Sequence, residues 1–326
     1  MKQNTWLKEL SYDPIDSLLN SNNPSIGYFT KRDLLDEKVP EVNCLWGLNV
    51  PKRLIKNQQE DGSWKYPGGH NKIRSIEDYN QLETFRQLGE LVDKYGFNKK
   101  HFSTRKAAEF LFKCQTKEGD FRGIYSNQYA TTYTGAIMEI LIKAGYSEDP
   151  RIEKGFKWLL STRQNDGGWA IPLRTKNIMN YYDALKLPEP LQNDPEKPFS
   201  HLTTGMVLRA FAAHPVYHNL PEAHHAGKLI MGRFFKRDKY TDRQDKKYWE
   251  SVSFPFWFTN ILTSLDSLQL LGFGIKEPHI QLGLSWLVKR QESDGTFNLK
   301  LLKTKDKDLK YWITLVISRI FKRYFK

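Results

Sequence analysis

Only two cysteines, Cys44 and Cys114, occur in 326 residues, too few for a disulfide framework. The simplest compartment for a chain that leaves both reduced is the cytoplasm, with peripheral membrane contact as an option. No run reaches the roughly 18 apolar residues that a spanning helix needs. The opening residues Met1-Lys2-Gln3-Asn4-Thr5-Trp6 hold no apolar core of signal-peptide length. There is no Gly-rich phosphate loop and no Gly-x-Ser-x-Gly elbow, which argues against nucleotide cradles and esterase-type nucleophiles. Acidic residues are also short, 37 against 50 Lys and Arg, leaving a net charge of +13. No nucleic-acid-binding motif accompanies that charge, so no nucleic-acid partner is expected. Anionic headgroups, a diphosphate-bearing ligand or a generally basic surface explain it equally well. The histidine cluster His214, His218, His224 and His225 lacks the regular ligand spacing of zinc sites, and no metal or cofactor is expected.

What the chain does have is a repeat. Four helix-like segments end in a Gln, a turn residue, a Gly and an aromatic. They are Gln59-Glu60-Asp61-Gly62-Ser63-Trp64, Gln115 through Gly119-Asp120-Phe121, Gln164-Asn165-Asp166-Gly167-Gly168-Trp169, and Gln291 through Asp294-Gly295-Thr296-Phe297. The last interval is about twice the others, so one unit there has lost its signature. A repeat on this scale decides the architecture. Upstream of three motifs lie apolar stripes at helical spacing: Thr104, Ala108, Leu111 and Phe112; Ile152, Phe156, Leu159 and Leu160; Ile280, Leu284, Leu287 and Val288. The Gly stops each helix by taking up a left-handed backbone. The Gln is placed to bond the freed backbone groups, and the aromatic to fold back over the apolar face.

A second helix type follows the motifs. Its starts are Tyr129–Gly135, His201–Gly205 and Phe254–Asn260, rich in capping residues. They run on as Ala136–Ala144, Met206–Ala213 and Ile261–Leu271, apolar nearly all round and therefore buried.

The segment Lys106-Ala107-x-x-Phe110-Leu111-x-x-x-Gln115-x-x-x-Gly119-x-Phe121 resembles the Gln-Trp repeat of squalene and oxidosqualene cyclases, which is also related to the helical repeat of protein prenyltransferase β subunits. Leu282-Gly283-x-x-Trp286-Leu287-x-x-x-Gln291-x-x-x-Gly295-x-Phe297 is similar to it too. The resemblance implies an all-α fold, an α/α toroid (an α6/α6-like barrel) of about five helix pairs around a central cavity. Residues 45–326 are expected to form a single toroid. Residues 1–44 would be a helical extension packing on it, and Lys186–Pro198, with its four prolines, an insertion in the third repeat.

In such a fold the inner helices line the cavity, which gives the candidate site. Tyr129, Tyr133, His201, Thr204, Phe256, Trp257 and Trp312 are expected to wall it and contact an apolar, isoprenoid-like ligand. Aromatic faces there would attract cationic intermediates. Glu90, Glu139 and Asp266 each lie six residues before a helix-closing Gly (Gly96, Gly145, Gly272), and Arg209 sits at a similar level. Buried charge must pair or face a wet cavity, so Asp266 and Glu139 are candidate acids, with Arg209 beside them.

The departures from the resembled families weigh against a direct transfer of function. There is no Asp-x-Asp-Asp run of the class II cyclases, no Asp-x-Cys pair for a prenyltransferase zinc, and no Asp-Asp-x-x-Asp run. Asp238, Asp242 and Asp245 are the nearest substitute and read as a solvated, internally paired surface. The C-terminal stretch Tyr311–Lys326 reads as the last ring helix, ending in a basic tail that suits a membrane surface. Two functions stay open: an isoprenoid-handling enzyme (a cyclase or prenyltransferase relative), and a non-catalytic toroid that binds a lipid or protein partner.

Overall fold

The computed structural model describes residues 5–68, 76–178, 181–240, 244–302 and 306–326. Its α-helices in chain order are α1 (Ile15–Leu19), α2 (Pro24–Phe29), α3 (Asn49–Lys56), α4 (Ile76–Tyr95), α5 (Phe102–Lys113), α6 (Thr131–Leu141) and α7 (Pro150–Ser161). They continue as α8 (Pro172–Thr175), α9 (Tyr181–Leu185), α10 (His201–Ala213), α11 (Pro221–Met231), α12 (Ile261–Leu270), α13 (Pro278–Val288) and α14 (Leu309–Tyr324). Two dipeptide strands, β1 (Ser251–Val252) and β2 (Lys300–Leu301), pair in parallel. The all-α class expected from the repeats is what is found. The chain packs as two compact units, one of residues 42–229 with 238–244, the other of residues 1–41 with 230–237 and 245–326.

In the first unit the two helix types alternate as the apolar patterns require. On α5, Thr104, Ala108, Leu111 and Phe112 are buried while Phe102, Arg105 and Glu109 face solvent. Helix α7 starts at Asp149-Pro150, where the Asp carboxylate accepts from the Arg151 amide at 2.9 Å and Pro occupies the first turn, which needs no amide donor. Helix α6 buries every residue except Tyr133, and α10 every residue except Ala213. These two pack backbone to backbone. A Cβ on Gly135 would stand 2.7 Å from the Val207 Cα, so only glycine permits the approach.

The motif geometry is repeated closely. Gln115 Nε2 donates to Gly119 O at 2.9 Å and to Arg151 O, in the first turn of the next amphipathic helix, at 2.8 Å. In the first motif the same two bonds come from Gln58, to Gly62 O and Ser103 O, both at 2.9 Å. Gln59, expected in this role, is one residue late and accepts from the Ser63 hydroxyl instead. In the third motif the slot holds Arg163, whose Nε donates to Gly167 O at 3.1 Å. Gln164, expected there, grips the insertion through Asp194 O and Lys197 O, both at 2.7 Å. The neighbouring glutamine at the first motif and the Gly167-Gly168 doublet at the third let two registers fit the letters; the hydrogen bonds select one.

The aromatic that closes each motif folds back as expected. Trp64 Nε1 donates to Leu54 O at 2.8 Å and Trp169 Nε1 to Leu159 O at 2.7 Å. The backbone N–H of the same residue goes to a threonine of the next buried helix: Trp64 to Thr84, Phe121 to Thr134, Trp169 to Thr204, at 2.8–3.1 Å. Asp238 is not solvated. It is buried, and its carboxylate accepts from the Ser200 hydroxyl and the Leu202 amide, both at 2.9 Å, at the start of α10. Orphan amides at a helix start attract an anion, which is why this aspartate turns inward. Asp242, expected to share its face, lies outside the described residues.

In the second unit the fourth motif uses Gln291, which donates to Gly295 O at 3.0 Å and Tyr12 O at 2.7 Å. Its carbonyl oxygen accepts from the Ser11 and Tyr12 amides. The N-terminal residues thus dock through a motif glutamine. Helix α12 begins with a capping box between Asn260 and Thr263. Helix α14 is the expected C-terminal helix, and its cations are engaged. Arg319 pairs with Asp33 at 2.6 Å, Lys322 with Asp36 at 2.7 Å, and Arg323 with Asp266.

Candidate functional site

Charge is concentrated on the buried helices of the first unit. Gly135 brings α6 and α10 together, and four residues further on Glu139 forms an ion pair with Arg209. Lys143 joins from the turn after α6, 2.7 Å from the Glu139 carboxylate and 3.2 Å from Asp93 of α4. Burial pushes the Glu139 carboxyl up, but Arg209 and then Lys143 outweigh it and hold it below the usual range. For Asp93 burial wins over Lys143, and its carboxyl is raised. Burial lowers the Lys143 ammonium, yet Asp93 and Glu139 leave it raised. Two cations and two anions, from three helices and the turn after α6, thus form a compensated cluster. It ties the helices together and keeps Glu139 ionised.

Two members of that cluster were not anticipated. Lys143 is legible as the i+4 partner of Glu139. Asp93 is not, because the spacing to Gly96 favoured Glu90, which instead pairs with Lys94 at 2.7 Å.

The remaining expected residues fall in both units. In the first, Tyr129 and Tyr133 flank the start of α6, and His201 and Thr204 stand in the first turn of α10. His201 Nε2 is 3.6 Å from the Asp238 carboxylate. Thr204 is fully buried and its hydroxyl is used twice by the Trp169 backbone. Tyr133 packs edge-on against Tyr125. Tyr129 is held in a polar chain: Gln192 donates to its hydroxyl at 3.0 Å, and it donates to Glu118 at 2.7 Å. In the second unit, Asp266 of α12 is ion-paired with Arg323. Trp312 stacks on Phe254, which packs edge-on against Phe256, and Trp257 lies edge-on to Phe258. Phe254–Phe258, expected at the beginning of a helix, forms a loop before α12.

His214 bridges Ser147 O and the Val216 and Tyr217 amides, while His225 reaches Asp166 O. Among the described residues no group of three His, Cys, Asp or Glu stands within metal-binding reach, and no helix is long and apolar enough to cross a membrane.

Residues 72–184, from α4 to α9, match the family model of the squalene-hopene cyclase C-terminal domain. The chain is related to the terpenoid cyclases through this stretch. A squalene-hopene cyclase from Schizosaccharomyces japonicus is 29% identical over 123 residues, which cover 36% of this chain and 18% of that protein. The aligned stretch is therefore less than a fifth of the relative. Among solved structures, the type II terpene cyclase MstE from Scytonema in complex with merosterolic acid A covers 95% of this chain and 97% of its own, at 11% identity and a TM-score of 0.42. The same enzyme with geranylgeranyl dihydroxybenzoate covers 97% and 99%, at 12% identity and a TM-score of 0.42. A protein from Actinoplanes covers 84% and 97%, at 15% identity and a TM-score of 0.31.

With the helix-pair repeat, the family match agrees with the α/α-toroid class implied by the sequence. The cluster residues Asp93, Glu139 and Lys143 fall inside the matched stretch, and Arg209 falls outside it.

Proposed function

We propose that the protein is an isoprenoid-handling relative of the terpenoid cyclases, acting on a long apolar substrate held in a toroid cavity. The match of residues 72–184 to the squalene-hopene cyclase C-terminal domain carries this reading. The name of that family points to a linear isoprenoid such as squalene. Tyr129, Tyr133, His201 and Thr204 remain proposed wall residues in the first unit, with Glu139 and Arg209 as its charged groups, and Phe256, Trp257 and Trp312 remain so in the second, with Asp266. Contact with an anionic membrane belongs to the same reading. At the C-terminus it would rest on Lys326, which is exposed, since Lys322 and Arg323 are ion-paired.

A second reading, a non-catalytic relative that binds the isoprenoid without converting it, is favoured by one observation. Both carboxyls proposed as acids are neutralised by cations, Glu139 by Arg209 and Lys143 and Asp266 by Arg323. For Glu139 those cations hold the carboxyl below the usual range, so it has no proton to give at neutral pH.

Incubation with squalene and with linear polyprenyl diphosphates, followed by product analysis, separates the two. A cyclised product that disappears in Asp266→Asn or Glu139→Gln, with the variant still folded by circular dichroism, supports the enzyme and places its acid. Binding without product supports the second reading. Neither binding nor product with any of these substrates removes both.

A further inference from the structure

Where the third repeat departs from the others, it leaves a pocket of about 290 Å3. Glu118, Tyr129, Thr162, Arg163, Gln192 and Asn193 are among the residues that line it. Glu118 comes from the second motif, Thr162 and Arg163 from the end of α7, and Gln192 and Asn193 from the 186–198 insertion. The insertion is fastened over the site. Gln164 holds its Asp194 and Lys197 carbonyls, Asn193 Nδ2 donates to Thr162 O at 3.1 Å, and the Asp194 amide donates to Thr175 at 3.0 Å. Gln128 holds it from the other end, accepting from the Leu191 amide at 2.9 Å. Among the described residues, these contacts have no counterpart at the other motifs.

The unused hydrogen-bonding capacity defines the ligand. Gln115 spends its amide on two carbonyls. Arg163, in the same slot, spends only Nε on Gly167 O, and its two terminal nitrogens bond to no protein group among the described residues. That leaves a planar donor fork suited to a carboxylate. The other lining groups offer acceptors. Asn193 Oδ1 has no hydrogen-bond partner among the described residues. The Glu118 carboxylate is oriented by Tyr129 at 2.7 Å and Arg122 at 2.8 Å, and these contacts hold its carboxyl below the usual range although burial opposes them. A carboxylate has about four lone-pair directions, so Glu118 keeps acceptor capacity. The pocket thus presents one cation fork and a set of acceptors that includes an anion, with the Tyr129 and Trp158 rings on its apolar side. An isoprenoid chain would strand these polar groups.

We propose that this pocket binds a free amino acid, its carboxylate on Arg163 and its ammonium on Glu118 and Asn193. Its volume suits a molecule of that size, near the lower end of small-ligand sites. The site shares Tyr129 with the proposed isoprenoid wall, but its polar groups are its own and the proposal does not depend on that reading.

Saturation-transfer NMR on the full chain tests it, with L-alanine, L-glutamine and L-phenylalanine as probes and acetate and D-glucose as comparators. Arg163→Gln is the informative variant, since it restores the glutamine of the other motifs and should fold as well as the parent by thermal melting. The expected result is saturable transfer to at least one amino acid, weakened about tenfold or more in Arg163→Gln and in Glu118→Gln. No saturable transfer to any amino acid overturns the proposal. So does binding of acetate or glucose as tight as that of the best amino acid, or affinity unchanged in a folded Arg163→Gln.

Discussion

A single side-chain position carries much of each repeat. Gln58, Gln115 and Gln291 each bond the loop that follows their helix and a second chain segment, so one amide closes a turn and ties two parts of the fold. Gln58→Ala should cost about 1–3 kcal/mol in urea unfolding, the worth of two partly buried bonds. Gln59→Ala should cost clearly less, although Gln59 is the residue that the sequence pattern points to. Glu139→Gln removes a buried carboxylate that pairs with both Arg209 and Lys143 and should cost about 3–5 kcal/mol at pH 7. Its pH dependence has a definite sign. A depressed carboxyl stabilises the fold above its unfolded pKa, and that contribution fades as pH falls through the folded value. The gap between wild type and Glu139→Gln should therefore narrow below about pH 4. Asp93, raised in the fold, contributes in the opposite direction: its share is present at low pH and is lost as pH rises through its folded value. Unfolding curves at pH 7 and pH 4 would show both effects.

At the scale of elements, each loop hands its aromatic residue's amide to a threonine of the next buried helix. Thr134→Val and Thr204→Val keep the side-chain volume but strand the Phe121 and Trp169 amides, which are buried bonds. Each should lose about 1–3 kcal/mol by chemical denaturation, without loss of helix content by circular dichroism. Gly135→Ala should cost a similar amount by forcing α6 off α10. The helices themselves were legible. Stripes such as Thr104, Ala108, Leu111 and Phe112 appear buried as the spacing required, and α10 begins at His201 as its capping residues indicated. The register of two motifs was less legible, because Gln58-Gln59 and Arg163-Gln164 each offer two adjacent polar side chains, and only the partner carbonyls decide between them. The inward turn of Asp238 was not legible either. In a segment dense with Lys and Arg, an aspartate reads as surface until the start of α10 is seen beside it. The polar pocket that Tyr129 also lines was not legible, because the sequence pattern does not reveal the path of the 186–198 insertion beside it.

For the whole molecule, the net charge of +13 is not a free basic surface at the C-terminal helix. Arg319, Lys322 and Arg323 are each tied to an aspartate. The proposed function rests instead on the match of residues 72–184 to the squalene-hopene cyclase C-terminal domain, and its test is what the protein carries. Native mass spectrometry of the purified chain, with organic extraction of any bound molecule, settles that most directly. An isoprenoid handler should retain an apolar ligand of isoprenoid mass, or take one up when squalene or a linear polyprenyl diphosphate is added. A folded protein that stays empty with every one of them would contradict the isoprenoid reading.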